Sequence, residues 1–114
     1  EFTFSIEKLK NKLNSEIDKS SNIIIFGANS SGQILINFIE KMGGTISAIV
    51  DNSKLKQGNF LFGTNLEVQD PSMIKDFGNS DTVTVFVGVF DNEIINQVKT
   101  LNKKINIFSK RDLI

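Results

Sequence analysis

The segment Ile23-Ile24-Ile25-Phe26, followed at once by Gly27-Ala28-Asn29-Ser30-Ser31-Gly32, constrains this chain more than any other. The bulky apolar run is too short for a buried helix and lacks the alternation of a half-exposed strand. It fits a central parallel strand covered on both faces. The glycine turn then leads into a helix whose apolar face reads Ile34, Leu35, Phe38, Ile39 and Met42, and Gly43-Gly44 supplies the left-handed backbone that a helix stop favours. A further strand, Ile46 to Val50, ends at Asp51. Strand, turn, helix and strand make one βαβ unit, whose crossover is right-handed in nearly all cases.

The pattern continues downstream. Lys54 to Thr64 is a polar connection punctuated by glycine and holding Phe60, Leu61 and Phe62, and Leu66 to Gln69 reads as a short third strand. Asp70 and Pro71 suit the N-cap and first position of a helix carrying Met73, Ile74 and Phe77, which Gly78 stops. Val83 to Val87 is a fourth strand. Asp91 caps a helix with Ile94, Ile95, Val98 and Leu101, and Ile105 to Phe108 is a fifth strand before a short tail, Lys110 to Ile114. Upstream, Ile6, Leu9, Leu13 and Ile17 recur at helical spacing within Ser5 to Lys19. This alternation predicts a single α/β domain over residues 1–114, with a leading helix within 1–20 and βα repeats over 22–114. Its expected architecture is Rossmann-like: three layers, a parallel sheet of about five strands in the order 3-2-1-4-5, and an extra N-terminal helix. In such a sheet the winding reverses between strands one and four, opening a crevice at their carboxyl ends beside Gly27 to Gly32 and Gly88 to Asn92.

Composition narrows the chemistry. A chain of 114 residues supports one core. Thirteen basic residues offset thirteen acidic ones, so no overall field gathers nucleic acid or an acidic membrane. No apolar run approaches the roughly 20 residues of a membrane helix, and no signal peptide opens the chain, so the expected location is cytoplasmic. Cysteine and histidine are both absent, which removes thiolate catalysis, sulfur metal sites, the commonest zinc ligand and the commonest general base. Because the chain starts at Glu1-Phe2, we read it as a piece of a larger protein whose other domains hold the missing chemistry.

The turn matches the dinucleotide fingerprint at its first and third glycines, with Asn29 at the middle position. The middle glycine is the one that lets a pyrophosphate approach the backbone, so its loss argues against a conventionally bound NAD. The helix-start amides and the hydroxyls of Ser30 and Ser31 can still hold a phosphate or carboxylate. The alternative is that these residues only form the turn and cap the helix. Asp51 stands where the acidic residue of nucleotide-binding βαβ units accepts ribose hydroxyls, about 20 residues after the turn. Alternatively, it starts the turn Asp51-Asn52-Ser53. Lys54 and Lys56 can meet phosphate or remain solvated loop lysines. Glu67 and Asp70 are more simply a strand end and a helix cap than an acid/base pair. Phe60, Phe62 and Phe90 can stack on a base or sugar, but phenylalanines in small domains usually fill the core, the reading adopted for Phe60 and Phe62; only Phe90 borders the crevice.

Three segments together resemble the C-terminal domain of sugar C-methyltransferases, which methylate deoxysugars attached to nucleoside diphosphates. They are Ile25 to Phe38 with its glycine–alanine turn, Val50 to Thr64 with its aspartate, lysine–glutamine–glycine and glycine–threonine, and Phe90 to Ile95 leading into a helix. Two departures stand out: Phe62 occupies the place of a usual proline, and Val89 to Asn92 replaces a tryptophan–asparagine pair. The resemblance implies a parent with a zinc-binding N-terminal part and a separate S-adenosylmethionine domain. It also implies a C-terminal module that helps hold the nucleotide sugar.

The expected function is thus a non-catalytic nucleotide-sugar-binding module, inactive alone and without a cofactor of its own, serving deoxysugar or polysaccharide biosynthesis. Its expected partners are a nucleoside diphosphate sugar and the neighbouring catalytic domain. The expected site comprises Gly27, Ala28, Asn29, Ser30, Ser31, Gly32, Asp51, Lys56, Gly88, Phe90 and Asn92. Three other readings stay open: an interaction domain that keeps the fold without a ligand, a module of a sugar acyltransferase or other polysaccharide enzyme, and an NAD-type enzyme or regulatory module. Asn29 and the missing histidine disfavour the last.

Overall fold

The computed structural model describes residues 11, 14, 22–77, 83–87 and 92–109. Its elements are β1 (Asn22–Phe26), α1 (Ser30–Lys41), β2 (Ala48–Val50), β3 (Val68–Gln69), a 3₁₀ helix (Pro71–Asp76), β4 (Val83–Val87), α2 (Asn92–Leu101) and β5 (Asn106–Ser109). The strands form one parallel sheet in the order β3-β2-β1-β4-β5. Of the expected leading helix, only Asn11 and Asn14 are described, both helical; the rest lies outside the described residues, as do Gly78 and Asp91.

The period of β1 splits its apolar run between two layers. Ile23 and Ile25 join Leu35, Ile36 and Ile39 of α1, together with Ile46, Ile49 and Val68, on one face. Ile24 and Phe26 join Ala48, Val50, Ile74 and Val98 on the other, where the 3₁₀ helix and α2 pack. Residues 23–26 are all buried, as a central strand covered on both sides requires.

The helix α1 begins where Asn29 accepts the Gly32 amide on its side-chain oxygen, 2.9 Å. It ends in a paired C-terminal motif, with Gly43 at φ 88°, its amide on the Glu40 carbonyl and the Gly44 amide on the Ile39 carbonyl. Its buried stripe is Gly32, Leu35, Ile36 and Ile39. The expected face is corrected at one position: Ile34 is 41% exposed and Ile36 is buried in its place. Three consecutive apolar residues leave the rotation of the helix undetermined, and the contact of Gly32 with the strand sets it.

Two further expectations change. The segment after Asp70 is a 3₁₀ helix of six residues, not an α-helix, and it ends at Phe77 in extended conformation with its amide reaching back only to Ile74. The Asp70 side chain caps it by accepting the Ser72 amide at 2.9 Å. The strand β3 starts at Val68, later than expected, because Leu66 and Glu67 pair with Leu61 and Phe60 instead of with β2.

Candidate functional site

At the carboxyl ends of β1 and β2, the turn is built by close approach of backbone to backbone. A Cβ on Gly32 would lie 2.1 Å from the Gly27 carbonyl oxygen, so that position excludes any side chain. Gly27 takes φ 125° and donates its amide to the Val50 carbonyl at 2.8 Å. Asn29 is the helix cap, the reading that competed with a ligand role. The amides of Ser30 and Ser31 follow, in the first turn, where a helix leaves its N–H groups without internal partners.

Asp51 uses both carboxylate oxygens within the chain. Oδ2 accepts the Ala28 amide and Oδ1 the Ser53 amide, each at 2.8 Å, so the side chain both starts its own turn and ties β2 to the glycine turn. Lys56 completes the bracket: its Nζ donates to the Ala28 carbonyl at 2.9 Å and stands 3.8 Å from Asp51 Oδ2. The peptide groups flanking Ala28 are therefore held by two charged side chains from the β2 loop. Gln57 adds a hydrogen bond from its Nε2 to the Asp51 carbonyl at 2.8 Å. Asn52 reaches the other way, exchanging two amide hydrogen bonds of 2.9 Å with Gln97 on α2. Lys54 is drawn off to Asp70, at 2.9 Å.

The connection between β2 and β3 contains no helix. It doubles back as a small hairpin in which Gly58 donates to Val68, Val68 to Asn59, and Leu61 to Leu66. Gly58 and Gly63 permit the tight bends with φ of 87° and 78°. Gln33 of α1 fastens the tip by donating to the Phe62 carbonyl at 2.8 Å, and the Thr64 hydroxyl bridges Leu61 and Leu66. Here the core expectation for Phe60 and Phe62 is overturned, since they are 62% and 87% exposed, and Leu55 is 89% exposed. The bends turn these side chains away from the sheet.

Together they wall a cleft of about 170 Å³ whose lining includes Ala28 and Val68. Lys56, Asn59 and Leu61 also line it. The cleft thus joins two groups that the sequence presented apart: the charged bracket around Ala28, and an exposed aromatic pair that residue type alone assigns to the core. The available signal was the bracketing of Phe-Leu-Phe by Gly58 and Gly63 inside a polar loop. Gly88 and Phe90 lie outside the described residues, and Asn92 is exposed at the start of α2, where it already has an interaction partner. Among the described residues no cluster of carboxylates could hold a metal ion. Nor is any described helix long and apolar enough to cross a membrane.

Solved structures share the fold. RSP, a Rex-family repressor, in complex with β-NADH is 20% identical with a TM-score of 0.59, over 91% of this chain and 61% of that one. RSP with β-NAD+ and operator DNA is 22% identical with a TM-score of 0.58, over 91% of this chain and 58% of that one. The chain thus spans about three fifths of the length of these structures, and at such identity the likeness is one of fold. No curated protein matches the chain. The family model for the C-methyltransferase C-terminal domain matches residues 1–108, nearly the whole sequence with its glycine turn, Asp51 loop and helix α2, and the chain belongs to that family.

Proposed function

We propose that this chain is the nucleotide-sugar-binding, non-catalytic module of an S-adenosylmethionine-dependent sugar C-methyltransferase acting in deoxysugar or polysaccharide biosynthesis. The observation that carries the reading is the cleft, in which exposed Leu55, Phe60 and Phe62 stand around Lys56 and Ala28 at the carboxyl edge of the sheet. This is the edge at which open parallel sheets bind ligands. Phosphate oxygens approach the Ser30 and Ser31 amides and hydroxyls and the remaining donors of Lys56. Asp51 accepts a ligand hydroxyl: a carboxylate has about four lone-pair sites, and two are used within the chain. Gly27, Asn29 and Gly32 shape the turn. Methyl transfer takes place on another domain of the parent, which binds S-adenosylmethionine.

Exposed apolar side chains also suit a domain that only packs against its catalytic neighbour. Titration of the isotope-labelled chain with UDP- and dTDP-sugars separates the two readings. Binding gives shifts at Ala28, Ser30, Ser31 and Lys56. Their absence at millimolar ligand refutes nucleotide-sugar binding and leaves the interaction domain.

A further inference from the structure

Building on the nucleotide-sugar reading, we infer that the Leu55–Phe60–Phe62 cleft is a subsite for one part of that ligand, its nucleobase. Size makes the first selection. Ligand pockets usually enclose roughly 300–1,000 Å³, so a cleft of about 170 Å³ takes one ring of a nucleotide sugar and leaves the remainder outside.

Polarity makes the second selection. Even a deoxyhexose keeps hydroxyls and a ring oxygen on its rim, and each one buried against Leu55, Leu61, Phe60 or Phe62 loses water without gaining a partner. The polar side chains lining the cleft are Lys56 and Asn59. Lys56 already donates to the Ala28 carbonyl, and the Asn59 amide nitrogen already donates to the Leu55 carbonyl at 2.8 Å. What remains is the Asn59 oxygen as acceptor, the second N–H of the Asn59 amide, and the outward donors of the Lys56 ammonium. That set is too small for a sugar. It matches a base, which has two apolar faces to lie against aromatic rings and a single polar edge. The charge order agrees: Lys56 lies where the cleft meets Ala28 and the glycine turn, so a base in the cleft sends its phosphates toward the first turn of α1.

The backbone of the wall does not depend on these side chains. The hydrogen bonds that hold it come from Gln33, Thr64, and the amides of Gly58, Leu61 and Val68, so truncating Phe60 or Phe62 leaves the hairpin in place. The test compares the chain with Phe60→Ala and Phe62→Ala, each checked for an unchanged thermal midpoint. UDP, dTDP and a UDP-sugar are the ligands, with ribose 5-phosphate and a methyl glycoside as baseless controls. Saturation-transfer NMR reads which ligand protons touch the protein. We expect the strongest transfer to the base protons, little to the hexose, weaker binding of both controls than of UDP, and at least about fivefold weaker UDP binding in each variant, the lower end for loss of one stacked ring.

Nucleotide-sugar binding with the saturation on hexose protons, or with unchanged affinity in both variants, overturns the base subsite while leaving the broader reading intact. Failure of every nucleotide and nucleotide sugar to bind overturns both.

Discussion

A methyl group on Gly32 would lie 2.1 Å from the Gly27 carbonyl oxygen and 3.3 Å from its carbon, backbone atoms that cannot swing aside as a flexible side chain does. Gly32→Ala should therefore force the start of α1 away from β1, at a cost of about 3 kcal/mol, the upper range for overpacking a tight contact. Asn29 behaves differently because its contribution is a single capping bond. Asn29→Ala should cost about 1 kcal/mol and Asn29→Gly only a few tenths, since glycine is itself an acceptable cap. Urea unfolding midpoints of the three variants check the order; equal destabilisation by Gly32→Ala and Asn29→Gly would contradict the packing described. Both positions were legible as a strand–turn–helix signature. The double engagement of Asp51 was not, because the spacing that marks a ribose acceptor also marks a residue able to tie two strand ends together.

The 3₁₀ helix depends at its start on Asp70, whose carboxyl is lowered from 3.8 to about 2, first by the Ser72 backbone amide and then by the Lys54 ammonium. A carboxyl held lower in the folded chain than in the unfolded one stabilises the fold above the unfolded value, and that contribution is lost as pH falls through the folded value. Acidification from about pH 4 toward 2 should thus loosen this element. The Ser72 amide resonance, followed against pH, should titrate near 2 in the wild type and at a higher pH in Lys54→Met, where the Ser72 bonds still hold the carboxyl below its ordinary value. No change of midpoint in that variant would remove Lys54 as a cause.

This element also shows where reading by pattern stops. Asp70-Pro71 announces a helix start, but six residues do not separate an α-helix from a 3₁₀ helix, and the choice follows from the extended Phe77 and from Asn102, which donates to the Ile74 and Phe77 carbonyls. The parallel sheet and its covering helices were plain in the long apolar runs. The hairpin before β3 was not, because Leu66 and Glu67 have the composition of a strand and take their partners locally.

For the molecule as a whole, equal numbers of basic and acidic residues combine with Leu55, Phe60 and Phe62 facing solvent. Proteins near zero net charge associate most readily, and exposed apolar patches supply the contact. Light scattering of the isolated chain should pass through a maximum near neutral pH. The double substitution Phe60→Ser and Phe62→Ser should suppress it; undiminished scattering would locate the contact elsewhere. The hairpin bearing these rings is fastened by Gln33, by Thr64 and by amide-to-carbonyl bonds, none of which involves the aromatic side chains. Scaffold and exposed apolar surface are thereby decoupled, so substitutions at positions 55, 60 and 62 alone can reshape the cleft while the architecture beneath stays the same.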